Sequence, residues 1–126
     1  MTLKLAIVGC GGMGLRHAFA YIELRKHFDS FDLVAVCDRH AESANRVASE
    51  VESATGLRPR VYPDFDQLLA TENGIDAVDI TTDTRMHHSF AIGAMESGAS
   101  VLTEKPMGLT MGACRKMAET AERTGK

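Results

Sequence analysis

Three glycines near the start of the 126-residue chain, Gly9, Gly11 and Gly14, have the spacing G-x-G-x-x-G. In this pattern the first glycine permits a tight turn, the second lets the backbone approach a pyrophosphate, and the third allows a helix to pack closely on a strand. Backbone N–H groups near Gly12 and Met13 would then face the diphosphate at the positive end of a helix. The alternative is a tight strand-to-helix turn without a ligand, so the motif needs a supporting context.

Asp38 supplies that context, because it ends the second predicted strand, a little beyond the usual offset of about 20 residues from the glycines. A carboxylate at this place can accept two hydrogen bonds from an adenosine ribose diol and repels a 2′-phosphate, which favours NAD over NADP. Arg39 leaves NADP open, because its guanidinium could stack on adenine or bind a 2′-phosphate. The alternative for this pair is a solvated Asp-Arg turn.

The elements that must position these residues alternate strictly between strand and helix. Apolar, β-prone runs predict five strands, at Leu3–Val8, Phe31–Cys37, Arg60–Tyr62, 75–81 and Ser100–Thr103. Helical spacing predicts five helices: one after Gly14 that fades near residue 27, then 41–54, Phe65–Thr71 capped by Asp64, 86–97, and one from Thr110 towards Thr124. This order predicts an α/β fold, a doubly wound parallel sheet in three α/β/α layers.

Composition excludes several classes of protein. Hydrophobic residues make up 44% and charged residues 25% of the chain, which is typical of one globular domain. The net charge of -3 argues against a nucleic-acid-binding surface, and no apolar run approaches the length of a membrane helix. Three cysteines without CxxC spacing argue against a disulfide framework or a zinc site, and predict packing cysteines in a reduced, cytoplasmic protein.

A second group of motifs lies in the last third of the chain. The segments are 78–82 (Val-Asp-Ile-Thr-Thr), His87, 94–98 (Ala-Met-Glu-Ser-Gly) and 101–106 (Val-Leu-Thr-Glu-Lys-Pro). Together with the glycines they resemble the N-terminal half of the Gfo/Idh/MocA oxidoreductases, over residues 5–125. The resemblance implies a Rossmann domain over residues 1–126 that binds NAD, with NADP possible. It also implies a C-terminal substrate domain outside this sequence, which supplies the main acid/base residue and the contacts of any homo-oligomer.

The resemblance also implies roles for single residues. Lys105 would lie beside the nicotinamide as a catalytic residue, with Glu104 next to it and His87 positioning the nicotinamide end. The loop residues Thr81, Thr82 and Asp83 would complete the cofactor-binding set. This loop departs from the family, because the common Thr-Pro-Asn is replaced by 82–84 (Thr-Asp-Thr). An acid there would cost affinity for the cofactor unless it bonds to ribose hydroxyls.

Each of these roles has a plainer alternative. Lys105 could be a surface lysine in a turn, and His87 could be a helix-start histidine with local hydrogen bonds. His87 and His88 cannot form a metal site, because adjacent residues do not present ligands on one helix face.

The function predicted is hydride transfer between the nicotinamide cofactor and a sugar, polyol or related small hydroxyl compound. By themselves the 126 residues should bind cofactor weakly and turn over nothing, because they leave little chain to enclose a substrate. The first alternative is a truncated, non-catalytic nucleotide-binding or sensing module. The second is an S-adenosylmethionine-dependent methyltransferase, which ranks last because Glu104, Lys105 and Pro106 have no role in it.

Overall fold

The computed structural model describes all 126 residues and contains five strands and five helices in strict alternation. The strands are β1 Leu3–Val8, β2 Phe31–Cys37, β3 Arg60–Tyr62, β4 Ala77–Ile80 and β5 Ser100–Thr103. The helices are α1 Gly12–Arg25, α2 Ala41–Thr55, α3 Phe65–Thr71, α4 Thr84–Glu96 and α5 Met111–Thr124. None of these helices is long and apolar enough to cross a lipid bilayer.

All strand pairs are parallel, and the order across the sheet is β3-β2-β1-β4-β5. The chain moves outward from β1 through β2 to β3, then returns to the other side of β1 and continues through β4 to β5. The predicted doubly wound parallel sheet is therefore confirmed. The direction of winding reverses between β1 and β4, and α/β folds of this kind bind ligands at the carboxyl ends of the strands at such a reversal.

The sheet separates two hydrophobic cores, because successive side chains of a strand point to opposite faces. In β1, Ile7 packs against the face covered by α1 and α2, whereas Ala6 and Val8 pack against the opposite face. The opposite face is covered by α3, α4 and α5, and its core includes Leu68 and Met117. This arrangement is the three-layer α/β/α architecture that the alternating pattern predicts.

The ends of several elements differ from the prediction. Helix α1 begins at Gly12 instead of after Gly14, and α2 ends at Thr55 instead of residue 54. Helix α4 begins at Thr84 instead of residue 86, because the Asp83 carboxylate accepts a hydrogen bond from Arg85 N and caps the first turn. Strand β4 begins at Ala77 instead of residue 75, because Leu5 of β1 is the first residue that pairs with it. The predicted caps Asp64 and Thr110 both accept backbone N–H groups of their helices.

The two-core packing predicts the cost of shortening a buried side chain. Leu68 in α3 is 0% exposed, and Leu68→Ala should lower the free energy of unfolding by about 2–5 kcal/mol because it leaves a cavity. Leu57 is 53% exposed, and Leu57→Ala should change stability by no more than about 0.5 kcal/mol. Urea unfolding of both variants checks this, and equal losses would mean that Leu68 is not a core residue.

Candidate functional site

The candidate site lies where the carboxyl ends of β1 and β4 meet. Gly9 follows β1 and Thr81 follows β4. The two strand ends are joined, because Thr81 N donates to the carbonyl oxygen of Val8, the last residue of β1, at 2.8 Å. The Thr81 hydroxyl also donates to Gly9 O at 2.6 Å. The buried threonine therefore holds the glycine turn from the β4 side, which is a supporting position and not an exposed one.

Gly9 and Gly14 are required by the close approach of backbone to backbone. Gly9 has φ +99°, and a Cβ there would lie 2.6 Å from the carbonyl carbon of Thr81. A Cβ at Gly14 would lie 1.9 Å from Gly9 O, closer than any real contact. Both positions therefore accept only glycine, and α1 starts directly against the turn that follows β1.

Gly11 differs, because a Cβ there would meet no protein atom within 4 Å. It is the N-cap of α1, and no side chain caps this helix. The first helical hydrogen bond runs from Leu15 N to Gly11 O, so the N–H groups of Gly12 and Met13 have no partner within the helix. Open space and unpaired N–H groups at the positive end of a 14-residue helix fit an anionic group such as a diphosphate.

Asp38 connects the glycine loop to the end of β2. Its Oδ2 accepts a hydrogen bond from Cys10 N at 2.8 Å, and its Oδ1 accepts one from His40 N at 2.8 Å. Each carboxylate oxygen still has lone-pair capacity for a ligand, since an ionised carboxylate has about four acceptor sites. Arg39 is exposed and forms no ion pair in the structure.

A cavity of about 550 Å³ opens beside these residues, within the size range of small-molecule sites. Seven of the sequence-predicted residues line it: Gly9, Gly11, Asp38, Arg39, Thr81, Thr82 and Asp83. Four carboxylates contribute to the lining, those of Asp38, Asp64, Asp66 and Asp83. The cavity is therefore acidic and unfavourable for an additional phosphate group.

Several predicted residues lie outside the cavity lining. Gly12, Met13 and Gly14 form the first turn of α1 beside it. His87 is only 1% exposed, with Nδ1 2.9 Å from Pro106 O and Nε2 3.2 Å from Thr82 O. The Thr82 contact is local, whereas Pro106 is 19 residues away in the chain, so His87 joins the Thr82 loop to the segment after β5. The Lys105–Pro106 peptide bond is cis.

Glu104 and Lys105 follow β5 at the same edge of the sheet, also outside the cavity. Lys105 is exposed, whereas Glu104 is half-buried and its Oε1 lies 2.8 Å from His17 Nε2. The other ring nitrogen of His17 lies 2.7 Å from Asp79 Oδ2, which also accepts a hydrogen bond from the Tyr21 hydroxyl at 2.7 Å. Four polar side chains from α1, β4 and the end of β5 thus form one network.

Sequence reasoning missed His17, Tyr21 and Asp79, although a signal was present. Asp79 is a charged residue inside an otherwise apolar strand, and a buried carboxylate requires a partner. His17 and Tyr21 are four residues apart, so they share one face of α1. What the sequence did not show is that this face of α1 lies over β4.

The network shifts the pKa values of its members. Burial lowers the pKa of His17, but the hydrogen bonds and charges of Asp79 and Glu104 outweigh burial and raise it above its ordinary value of 6.5. Burial and the hydrogen bond to Asp79 raise the pKa of Tyr21, so its hydroxyl stays protonated and donates. The two carboxylates therefore favour the protonated, cationic form of the His17 imidazole.

The buried cysteines of the site are thiols. Burial, with the nearby Asp38 charge as a smaller cause, raises the pKa of Cys10 to about 12. Burial, followed by the charges of Asp64 and Asp38, likewise raises the pKa of Cys37 to about 12. A thiol with so high a pKa is a weak nucleophile, which agrees with the packing role expected from the sequence.

Comparison with known proteins gives consistent matches over nearly the whole chain. A family model described as "Oxidoreductase family, NAD-binding Rossmann fold" matches residues 3–126. A glycosyl hydrolase family 109 protein from Shewanella sp. (strain MR-4) is 34% identical over 98% of the chain, which spans 28% of that protein. The chain therefore spans under a third of the length of this curated relative.

Two solved structures share the fold closely. GenD2 from gentamicin A biosynthesis, in complex with NAD, superposes with a TM-score of 0.83 at 30% identity, over 98% of this chain and 32% of GenD2. The myo-inositol 2-dehydrogenase of Lactobacillus plantarum superposes with a TM-score of 0.83 at 31% identity, over 98% of this chain and 34% of that enzyme.

The raised pKa of His17 predicts a pH-dependent stability. Protonated His17 stabilises the folded state fully below its unfolded pKa of about 6.5, and this contribution is lost as the pH rises through the higher folded pKa. The stability advantage of the wild type over His17→Gln should therefore be larger at about pH 5.5 than at about pH 9. Urea unfolding at the two pH values measures it.

A control for this experiment is His27→Gln in the turn that follows α1. His27 is 67% exposed and its Nε2 lies 3.8 Å from the nearest Glu23 oxygen, so its replacement should change stability little at either pH. A His17→Gln effect that is independent of pH, or that grows as the pH rises, would contradict the assignment of the charge to His17.

Proposed function

The chain belongs to the Gfo/Idh/MocA family of oxidoreductases, and from this premise we propose that residues 1–126 are the NAD-binding domain of a longer oxidoreductase. Its reaction would move hydride between the nicotinamide and a sugar, polyol or related hydroxyl compound. The observation that carries the proposal is the open space beside Gly11 and the first turn of α1, which we call the cradle. No side chain caps this end of the helix.

The residues of the site divide by role. NAD, when bound, supplies the hydride chemistry. The backbone of Gly11, Gly12 and Met13 would hold the diphosphate, while Asp38 would accept hydrogen bonds from the adenosine ribose. Thr82 and Asp83 line the cavity on the β4 side, where they would contact the nicotinamide end.

Lys105 is the proposed catalytic residue of this domain. It is exposed at the carboxyl edge of the sheet, next to the strand end where α/β sheets bind ligands. When an alcohol is oxidised by loss of hydride, its hydroxyl must also lose a proton, and an amine can accept or relay that proton. The partner acid/base group and the substrate pocket would come from the substrate domain.

A second candidate function rests on the relative named a glycosyl hydrolase family 109 protein. In that case the chain would serve an enzyme that cleaves a glycosidic bond. Assays of the full-length protein that carries this domain separate the candidates. NADH formation from a polyol panel supports the dehydrogenase, and release of the aryl group from aryl glycosides supports the hydrolase. NADH binding with neither reaction supports a non-catalytic module.

The cradle predicts different outcomes at two glycines. In Gly11→Ala the new methyl group meets no protein atom but points into the cradle, so the fold should persist while NADH affinity falls at least about tenfold. In Gly14→Ala the methyl group would overlap Gly9 O, so stability itself should fall. Calorimetric NADH titration and thermal unfolding measure the two effects.

Gly112→Ala in α5 is the control, since its nearest neighbour would be Thr110 Oγ1 at 3.8 Å and it lies away from the cavity. It should leave NADH affinity unchanged and should not lower stability, because alanine is more favourable than glycine within a helix. If Gly11→Ala binds NADH as the wild type does, the diphosphate does not lie on this loop and the proposal fails.

The acidic cavity predicts a preference for NADH over NADPH. A 2′-phosphate would approach the Asp38 carboxylate, so NADH should bind at least about tenfold more tightly, and Asp38→Asn should narrow the difference. Asp66→Asn, at an exposed position of the same cavity, should narrow it less. Calorimetry with both nucleotides tests this, and equal affinities would show that Asp38 does not meet the ribose.

A further inference from the structure

His17 bridges two carboxylates that belong to different parts of the fold. Its Nδ1 lies 2.7 Å from Asp79 Oδ2 in β4, and its Nε2 lies 2.8 Å from Glu104 Oε1 after β5. Both distances are those of charge-assisted hydrogen bonds. The ring is not part of the cavity lining, so none of the roles assigned above explains this arrangement.

The number of protons in the network follows from its geometry. An ionised carboxylate only accepts hydrogen bonds, and a neutral imidazole carries a single N–H. Asp79 Oδ2 already accepts the Tyr21 hydroxyl, so it is an acceptor in this network. Two hydrogen bonds to two carboxylates are therefore made together only when His17 is an imidazolium.

The two carboxylates are not equally free to move. The Asp79 side chain is 3% exposed and that of Glu104 is 25% exposed. Asp79 Oδ1 is buried without any partner, so loss of the His17 bond would leave this carboxylate poorly compensated. When the imidazole loses one proton, the hydrogen bond that breaks is therefore the one to Glu104, which solvent can reach.

Glu104 in turn connects the network to Lys105. Its Oε2 accepts a hydrogen bond from Lys105 N at 3.3 Å, and its own N–H donates to Ile80 O at 3.0 Å. The backbone of Glu104 is thus fixed to β4, while its carboxylate lies between the His17 ring and the backbone of the proposed catalytic lysine.

We propose that His17 is a positioning residue that, as an imidazolium, fixes the Glu104 carboxylate and through it the backbone of Lys105. Loss of one proton from His17 releases Glu104 and loosens the segment of Glu104, Lys105 and Pro106. The importance of Lys105 rests on the proposed function, whereas the coupling between His17 and Lys105 does not.

The groups that face the ring agree with this assignment. They are Asp79 from β4, Glu104 from the end of β5 and, through Asp79, the Tyr21 hydroxyl of α1 itself. Burial acts to lower the pKa of His17, but the two carboxylates raise it, so the release of Glu104 falls above pH 6.5. Nucleotide binding and Lys105-dependent steps should change over that same range.

Nuclear magnetic resonance of the labelled chain without nucleotide tests the coupling. We expect the His17 ring signals to titrate with a midpoint above 6.5, the ordinary value of a histidine, and the Lys105 amide signal to shift with the same midpoint. A His17 midpoint at or below 6.5, or a Lys105 amide signal that does not shift with that midpoint, would overturn the proposal. This titration requires no variant, so it is decisive even where a variant fails to fold.

Two variants locate the coupling in Glu104. Glu104→Gln removes the charge at the same side-chain length, so the Lys105 amide step should disappear and the His17 midpoint should fall. Glu96→Gln removes a carboxylate that pairs with Arg123 and not with His17. It should leave the Lys105 amide step and the His17 midpoint unchanged. Persistence of the Lys105 step in Glu104→Gln would contradict the proposed route.

This test also separates the inference from the proposed function. The titration contains no NADH, so failure of the chain to bind NADH leaves its outcome intact. Conversely, the chain could bind NADH normally while the Lys105 amide signal does not shift with the His17 titration. That result would support the proposed NAD-binding domain and reject the positioning role of His17.

Discussion

Helix α1 begins in direct backbone contact with the turn that follows β1, and the rest of the site depends on this contact. Position 14 has no room for a Cβ, and position 9 has both a left-handed backbone and the Thr81 carbonyl beside it. Because α1 is held this close, its uncapped first turn points its N–H groups at the end of β1. At Gly9 and Gly14, neighbouring backbone occupies the space where a Cβ would lie, whereas the space beside Gly11 is open. The proposed diphosphate site is this open space.

Three of the four carboxylates around the cavity already accept hydrogen bonds from backbone N–H groups. Asp64 and Asp83 cap α3 and α4, and both oxygens of Asp38 accept backbone N–H groups. A cofactor's negative charge would therefore be met by the positive end of α1 and not by a cluster of cations. The exposed Arg39 is the one cationic guanidinium in the cavity lining. The proposed preference for NADH over NADPH rests on this arrangement of charges.

The buried Asp79 imposes a second constraint, because it places a carboxylate between a strand interior and α1. Breaking a buried ion pair by removing one partner costs about 3–5 kcal/mol, whereas an apolar replacement of the whole pair is often neutral. Removal of either partner would leave the other uncompensated, so the pair fixes the position of α1 on β4. His17 and Tyr21 tie α1 to β4, and Glu104 extends that tie to the end of β5. The glycine loop and the proposed catalytic lysine are thereby linked through one helix.

The sequence by itself determined the order of elements, the parallel doubly wound sheet, the glycine turn and the acid after β2, because each follows from local spacing along the chain. It also located the caps at Asp64 and Thr110. It did not reveal that Asp83 caps α4, that His87 is buried, or that His17 reaches Glu104. Those facts are decided by distance in space: His17 and Glu104 are 87 residues apart in the chain, and only the packing of α1 across β4 brings them to 2.8 Å.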